Sequence, residues 1–484
     1  MLPESLLCLL SATFAFAQAR QQLTLDSVAS FNTLRLNPPS FSIPQEERLA
    51  VSIALCSVTS SQPRFFVSNI SNSDGQSDPG PAGGTNVFEI KMVDGLGSWT
   101  GGFPNGGLLS VQSSDSDGFS FDVGLSTNAE PLHQNITLPF LGDTTSNQAI
   151  VLSAPFAKFD IPVPSYPNYT LPAANMSQPP PPSSTPNMTL IVTETSRAIT
   201  GGPRTGCFLS SQTTTGAIDE QMVWARDILG YRSQWLLSGL TPSTNYTAFV
   251  IQDSTKVSGP IYFTTKSAAF LCPLVHSLPF CPGVAYSMPL PAPPAGSTSY
   301  TAANLPSTLT DPLISYIANF THVLSTFACG RDWYSPLKGC DDCQREYRRW
   351  LCAVSLPRCS EASPANPDGF TSVPAEPSAT GIVASKVAQQ VLSALVPVET
   401  RDPPRNEFMP ELGQPYTALL PCLEQCNIMD RACPPFVGIK CPTSTFNAGA
   451  SYGVGYIDSA DGDEFGGLTG TAQDRWGNVW CQLV

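Results

Sequence analysis

Short apolar or alternating runs, separated by Gly, Asn, Asp and Pro, fill residues 20–162. Leu49–Leu55, Asn86–Val93 and Phe119–Leu125 are the clearest of these runs. Runs of this length with turn residues between them predict the strands of a β-sandwich. Strands do not alternate with helical patterns in this region, so we predict that residues 20–162 form an all-β domain.

The next two segments predict a linker and a second β domain. Residues 163–187 are rich in proline and serine, which predicts a stiff, glycosylated linker. Residues 188–268 predict a domain of the fibronectin type III or immunoglobulin-like kind. Its signal is Leu-x-Gly-Leu-x-Pro-x-Thr-x-Tyr, which indicates a corner closed by a tyrosine hydroxyl, with Tyr246 in that place. A plain hairpin is the alternative.

The apolar spacing becomes helical after Pro289–Pro294, which predicts a mainly α-helical domain over residues 269–484. A first helix is predicted to begin at an Asp311 N-cap with Pro312 in its first turn. Its apolar positions are Leu313, Ile314, Ile317, Phe320 and Leu324. A second helix, Cys343–Val354, has the apolar stripe Cys343, Tyr347, Trp350, Leu351 and Val354. Gly381–Val396 predicts another amphipathic helix.

Three arginines, Arg345, Arg348 and Arg349, lie opposite the apolar stripe of the second helix. In an acidic protein such a cluster suits contact with acidic loops of a binding partner. We therefore name these arginines as partner-binding candidates. A solvated helix face is the alternative interpretation.

The cysteine count predicts a disulfide framework. The chain has 15 cysteines, and removal of Cys8 with a signal peptide leaves an even number. Twelve of these lie from Cys272 to Cys481, so the simplest partition is one N-terminal and six C-terminal bridges. The predicted disulfide cysteines are Cys56, Cys207, Cys272, Cys281, Cys329, Cys340, Cys343, Cys352, Cys359, Cys422, Cys426, Cys433, Cys441 and Cys481. Cys422 and Cys426 share a helical face and can pair with two partners in another segment.

The N-terminus predicts entry into the secretory pathway. Residues 1–19 contain the apolar run Leu6–Ala17 and two small-residue cleavage sites, which is typical of a signal peptide, with an uncleaved anchor as the alternative. No other segment has about 18 uninterrupted apolar residues. We therefore expect membrane attachment only through a partner. Predicted glycosylation sites are Asn69, Asn135, Asn168, Asn175, Asn187, Asn245 and Asn319.

Composition agrees with an extracellular location. Charged residues make up 13% of the chain, about half of the roughly 25% that is typical of globular proteins, and there are 47 prolines. The formal net charge of −14 disfavours nucleic acid or an anionic membrane surface as a partner, although solubility alone explains it as well. The acidic run Asp458–Glu464 lacks EF-hand spacing and is interpreted as a solvated loop.

The histidines give no indication of a metal site. The three histidines, His133, His276 and His322, are not at metal-ligand spacing, and the HExxH motif does not occur. Cys340-x-x-Cys343 would suit a redox pair or half a zinc site, but structural disulfides are favoured in a secreted chain. We expect a protein that is not an enzyme, with no catalytic residues, cofactor or metal.

Two cysteine-rich stretches resemble a known family. The first contains Cys329–Asp332 (Cys-Gly-Arg-Asp), Tyr334-Ser335, Cys340–Cys343, Tyr347–Cys352 (Tyr-x-x-Trp-Leu-Cys) and Pro357–Cys359 (Pro-Arg-Cys). The second contains Pro421–Cys426, Cys433-Pro434 and Cys441-Pro442. These motifs, in this order, resemble the accessory (regulatory) subunit of the fungal stretch-activated calcium channel. That family includes the yeast mating-induced death protein and is related to the auxiliary subunit of the animal sodium leak channel.

The resemblance implies a frizzled-like Cys-rich domain that docks on the outer face of a four-repeat cation channel. It implies a non-catalytic role in calcium influx, at the extracellular face of the plasma membrane or in the endoplasmic reticulum. The expected partner is the pore-forming subunit of a calcium channel. The alternative is a secreted or cell-wall-associated ligand-binding glycoprotein with a frizzled-like domain.

Overall fold

The computed structural model divides the chain into two compact units. Unit 1 is Met1–Gln134 with Gly201–Phe208, and unit 2 is Asn135–Thr200 with Leu209–Val484. The structure describes residues 20–70, 77–113, 117–158, 166–167, 169–176, 178–197, 202–227, 229–361, 398–399, 405–412, 416–443, 448–453, 479 and 481–484. The predicted signal peptide, Asn168, the predicted helix Gly381–Val396 and the acidic run Asp458–Glu464 lie outside these residues.

Unit 1 is a sandwich of two β-sheets. Its strands are β1 (Gln21–Gln22), β2 (Ser27–Asn32), β3 (Ser40–Ile43), β4 (Glu46–Leu55), β5 (Arg64–Ser68), β6 (Val87–Ile90), β7 (Leu96–Phe103), β8 (Gly107–Gln112) and β9 (Ser120–Ser126). One sheet has the order β1-β3-β8-β5-β6 and the other β2-β9-β4-β7. Both contribute to one apolar core, where the Phe121 ring lies 5.3 Å from Phe65 and 6.2 Å from Phe41. Inward-facing aromatic residues thus hold the two sheets together.

Two further sheets, in unit 2, correct the predicted domain boundary. Their strands are β10 (Gln134–Ile136), β11 (Phe140–Thr144), β12 (Ala149–Leu152), β13 (Met188–Glu194), β14 (Ala217–Asp227), β15 (Gly230–Ser238), β16 (Asn245–Gln252) and β17 (Lys256–Thr264). The orders are β10-β17-β16-β13 and β11-β12-β15-β14. The predicted boundary at residue 162 differs from the structure, because β11 and β12 complete the sheet of β15, with Val151 opposite Trp235. A short helix, α1 (Gly206–Ser210), precedes β14.

The predicted tyrosine corner is present at the start of β16. The Tyr246 side chain is fully buried, and its hydroxyl accepts a hydrogen bond from the Thr241 amide at 2.8 Å. Its ring stacks on Phe263 with the centroids 5.5 Å apart. The hydroxyl therefore closes the turn before the strand, in the place that the sequence pattern indicates.

Residues 169–176 of the predicted linker, residues 163–187, pack against the helical part of unit 2. Tyr169 and Leu171 join the apolar cluster that contains Cys343 and Met429. Gly330 has φ +83°, and a Cβ there would lie 2.4 Å from the Tyr169 ring, so only glycine permits this approach. This part of the segment therefore covers the helices, because Tyr169 and Leu171 pack into their apolar cluster.

The remaining elements of unit 2 are short helices and strands held by disulfides. They are β18 (Leu274–His276), β19 (Ala285–Ser287), α2 (Ser307–Leu324), α3 (Cys340–Ser355), β20 (Arg358–Ser360), β21 (Val398–Glu399), β22 (Thr417–Leu419), α4 (Leu423–Ala432) and α5 (Ala448–Ser451). The Asp311 N-cap is wrong: α2 begins at Ser307, and Leu309 extends its buried face by one turn. The described protein is therefore mostly β-sheet with a few helices, and a frizzled-like helical fold stays a prediction.

Asp143, in β11, is the hub of a buried charge cluster. Its Oδ1 accepts a hydrogen bond from Lys266 Nζ at 2.7 Å and lies 3.0 Å from an Arg358 Nη atom. Its Oδ2 accepts hydrogen bonds from the Ser287 amide at 2.9 Å and from the Ser287 hydroxyl at 2.6 Å. Burial alone would raise the pKa of Asp143, but the charges of Arg358 and Lys266 hold it well below its usual range. The Asp143 carboxylate thus connects β11, β19 and β20 with Lys266, which follows β17 in the chain.

We expect Arg358→Ala to lower the free energy of unfolding by about 3–5 kcal/mol, because it removes one of the two cations that compensate a buried carboxylate. The control is Lys440→Ala, which breaks the exposed Lys440–Asp430 pair at 3.4 Å and should cost at most about 1 kcal/mol. Denaturant titration of the purified protein measures both. Equal stability of the two variants would contradict the role of the cluster.

The same cluster predicts the sign of a pH dependence. The pKa of Asp143 is lowered in the folded protein, so its contribution to stability is complete above the unfolded-state value of about 3.9 and is lost as pH falls through the folded-state pKa. The difference in unfolding free energy between wild type and Asp143→Asn should therefore be largest at neutral pH and shrink in acid.

Candidate functional site

Seven disulfides frame the protein, and six of them connect the C-terminal cysteines. The pairs are Cys56–Cys207, Cys272–Cys359, Cys281–Cys352, Cys329–Cys340, Cys343–Cys433, Cys422–Cys481 and Cys426–Cys441. Cys340 and Cys343 pair with different partners, so they do not form a redox pair with each other. The expectation that Cys422 and Cys426 pair with one segment is wrong: Cys422 precedes α4 as its N-cap and reaches Cys481, whereas Cys426 reaches Cys441.

α3 is the element around which the site is built. Its Tyr347 ring stacks on Phe320 of α2 with centroids 3.5 Å apart, and the Trp350 indole donates a hydrogen bond to the Tyr452 hydroxyl at 2.9 Å. Asp342 accepts a hydrogen bond from the Gly339 amide at 3.0 Å, which satisfies an amide at the helix start. The predicted apolar stripe is therefore the packed face of this helix.

The loop before α3 presents two apolar side chains to solvent. It is closed by the Cys329–Cys340 disulfide, 11 residues apart, and Trp333 and Leu337 within it are 82% and 84% exposed. The Tyr334 side chain anchors the loop, because its hydroxyl lies 2.6 Å from the Gly339 carbonyl oxygen and 2.8 Å from that of Ala432. A rigid loop with an exposed tryptophan is typical of an interaction surface.

The three predicted partner-binding arginines are less exposed than the sequence indicates. Arg345 pairs with Asp342 and, at 3.3 Å, with Glu346, and Arg349 lies 3.2 Å from Glu346. Arg348 is only 5% exposed, and one of its Nη atoms donates a hydrogen bond to the Ala173 carbonyl oxygen at 3.1 Å. Residues 169–176 pack over Gln344 and Arg348, whereas Arg345 and Arg349 are partly exposed.

A cavity of about 130 Å³ lies beside these arginines, inside unit 2. Its walls include Pro172, Met176, Pro282, Arg345, Arg348 and Arg349. Burial lowers the pKa of Arg348 to about 10, which remains high enough to keep the guanidinium charged at neutral pH. The cavity therefore combines largely apolar walls with a retained positive charge.

Two groups of potential metal ligands occur among the described residues, and both contain a disulfide. Cys56, Asp122 and Cys207 are close together, and so are Cys422, Glu424 and Cys481, but the cysteines of both groups are in disulfides. Disulfide sulfurs do not supply the thiolates that a metal requires. His133 and His276 are buried in different units, each 3.0 Å from a serine hydroxyl.

The glycosylation sites differ in their exposure. Asn135, Asn175, Asn187, Asn245 and Asn319 are exposed. Asn69 is half-buried, and its Nδ2, the atom that would carry a glycan, donates a hydrogen bond to the Gly102 carbonyl oxygen at 2.9 Å.

The comparisons with known proteins identify the family. The family model described as "Stretch-activated Ca2+-permeable channel component" matches residues 50–469. This chain belongs to that family. Stretch-activated cation channel MID1 of Cryptococcus neoformans is 33% identical over 82% of this chain and 67% of its own length. Stretch-activated cation channel yam8 of Schizosaccharomyces pombe is 29% identical over 46% of this chain and 41% of its own length.

A second MID1 protein, from Saccharomyces cerevisiae, is 30% identical over 43% of this chain and 34% of its own length. The chain thus spans two thirds of the first relative and less than half of the other two. Among solved structures, an endo-D glycoside hydrolase domain of Streptococcus pneumoniae matches at 10% identity over 47% of this chain and 30% of its own length, with a TM-score of 0.16. A TM-score this low carries no argument about the fold or function of this chain.

The disulfides bear on where this family member acts. Its seven disulfides are typical of a secreted or extracellular protein. Within the described ranges, no helix is long and apolar enough to cross a membrane.

Sequence reasoning missed the exposed pair Trp333 and Leu337 and the buried carboxylate Asp143. The loop offered a usable signal, since it is a short cysteine-bounded segment without helical periodicity that contains a tryptophan. The sequence gives no comparable signal for Asp143, because its partners Lys266 and Arg358 are separated from it by 123 and 215 residues.

Removal of the Cys343–Cys433 bridge, as Cys343→Ala with Cys433→Ala, should cost about 2–5 kcal/mol and reduce the secreted level, because it detaches α3 from α4. Removal of Cys329–Cys340 should cost less, since the closed loop is much shorter. Thermal unfolding of the secreted variants measures both. A larger loss from the shorter bridge would contradict this order.

Glycan occupancy should follow exposure. We expect glycans at the exposed sites Asn135, Asn175, Asn187, Asn245 and Asn319. We expect little at Asn69, because its amide is engaged by the backbone. Mass spectrometry of glycosidase-treated peptides in heavy-oxygen water measures each site. Equal occupancy at Asn69 and Asn245 would refute the proposed order.

Proposed function

We propose that the chain is a non-catalytic, extracellular accessory subunit of a stretch-activated calcium channel of the voltage-gated type. In this role it docks on the pore-forming, four-repeat subunit from outside, is held at the plasma membrane by that partner, and is required for calcium influx. Membership of the stretch-activated Ca2+-permeable channel component family supports the channel context.

The observation that supports docking is the exposed apolar tip of the Cys329–Cys340 loop. Large apolar side chains in water are unfavourable, and burying a side chain of this size contributes about 1.5–3 kcal/mol. Trp333 and Leu337 are both more than four-fifths exposed on a loop that a disulfide and Tyr334 hold in shape. Such preorganisation reduces the entropy that docking would otherwise cost.

The arginines contribute differently to the proposed interface. Arg345 and Arg349 are partly exposed and already paired with acids of their own helix. Exposed, internally paired charges add little affinity, although they orient an approaching acidic surface. The apolar tip therefore supplies the affinity in this proposal.

Trp333→Ala should leave secretion and disulfide content unchanged and weaken association with the pore-forming subunit by about 2 kcal/mol, roughly 30-fold in Kd. Leu337→Ala should act in the same direction. The matched control is Leu271→Ala, at an exposed leucine outside the loop. Co-purification from detergent extracts and calcium entry measured with a luminescent reporter test the variants.

Two outcomes would overturn the proposal. If the wild-type chain co-purifies with no large multi-span membrane protein, the ligand-binding glycoprotein alternative is favoured. If Trp333→Ala and Leu271→Ala behave alike, the loop is not the docking surface.

A further inference from the structure

Arg348 is a buried cation without an anion among the described residues. One Nη atom bonds the Ala173 carbonyl oxygen at 3.1 Å, the other contacts the Met176 sulfur, and Nε has no hydrogen-bond partner. Removing a guanidinium from water is costly unless an opposite charge compensates it. Neither neutral contact supplies that charge, so an anion that reaches the guanidinium would be bound favourably.

Two acids of α3 pair with the neighbouring arginines. Asp342 pairs with Arg345, and Glu346 lies within 3.3 Å of Arg345 and 3.2 Å of Arg349. Arg349 also donates a hydrogen bond to the Val484 oxygen at 2.8 Å. Two arginines of this face therefore share two carboxylates, and Arg348 forms no ion pair with the part of the chain that the structure describes.

The unmatched charge faces a cavity rather than a packed core. Met176, Pro179 and Pro282 contribute apolar walls, and Asp341 is the single carboxylic acid among the lining residues. Arg226, a fourth lining arginine, lies over the Phe140 ring at 5.0 Å. Apolar walls weaken screening, so an anion that enters interacts more strongly with Arg348 than it would on an open surface.

We propose that this cavity binds one carboxylate group, with Arg348 as its counter-ion, and that an acidic side chain of the docking partner supplies it. The inference rests on the proposed function for the source of the carboxylate. A monocarboxylate is favoured over phosphate because one positive charge is unmatched and because the apolar walls suit a methylene stem. Arginine binds planar carboxylates through its parallel N–H groups. The buried Nε of Arg348 has no hydrogen-bond partner among the described residues.

The first experiment uses the isolated secreted protein and two blocked peptides, acetyl-Gly-Glu-Gly-amide and its Gln counterpart. Titration calorimetry or NMR should detect binding of the Glu peptide, with the Gln peptide at least about 30-fold weaker, because it cannot neutralise the guanidinium. Equal affinity for both peptides, or tighter binding of inorganic phosphate, would overturn the carboxylate assignment.

The second experiment separates a ligand site from a structural contact. Arg348→Met should abolish binding of the Glu peptide while the peptide-free protein melts at or above the wild-type temperature, because an uncompensated buried charge has been removed. Arg348→Lys should keep the charge but bind roughly tenfold more weakly, since it lacks the planar fork. Arg431→Met, at an exposed arginine of α4, is the control and should bind normally.

A lower melting temperature of Arg348→Met together with normal binding of the Glu peptide by the same variant would overturn the inference, because it would show a structural role only. Co-purification of the channel then tests the source of the carboxylate. Peptide binding with undiminished co-purification of Arg348→Met refutes the partner's carboxylate and leaves the proposed function standing. If the wild-type chain does not co-purify with the channel, the proposed function is refuted. The peptide experiment then still tests whether the cavity binds a carboxylate.

Discussion

Three disulfides hold α3, and the helical part of unit 2 depends on that constraint. An isolated helix of 16 residues is marginal in water, and α3 contributes only a narrow apolar stripe. Cys340, Cys343 and Cys352 fix it to three different segments. Covalent attachment lets the helix bury polar side chains such as Gln344 and Arg348 on its other face. Apolar packing alone would favour a helix without a desolvated charge there.

Strand β20 is held from two sides by neighbouring residues of one motif. Cys359 bridges to Cys272, and Arg358 reaches the buried carboxylate of Asp143. The covalent bond restricts the unfolded chain, whereas the ion pair fixes the strand against β11 in the folded one. The Pro-Arg-Cys motif is therefore a structural device that connects the cysteine-rich segment to the β-sheets of unit 2. Its arginine is not a surface charge.

The parts of the fold that depend on local spacing could be predicted from the sequence, and the others could not. The α3 stripe and the Tyr246 corner follow from periodicity and turn residues, both of which act within one segment. The boundary at residue 162 failed because β12 pairs with β15, and alternation does not encode which sheet a strand joins. The burial of Arg348 could not be predicted for the same reason, since Ala173, which covers it, is 175 residues away in the chain.

The exposed loop and the buried guanidinium divide the work of recognition in the proposed complex. Trp333 and Leu337 would supply affinity to any partner with an apolar hollow, because dispersion and desolvation are not selective. Arg348 behaves differently: a partner without a carboxylate at the right place leaves its charge buried and unmatched. That failure costs several kcal/mol and acts against wrong partners. In the proposed complex, the buried charge of Arg348 would therefore supply specificity, and the exposed side chains of Trp333 and Leu337 would supply affinity.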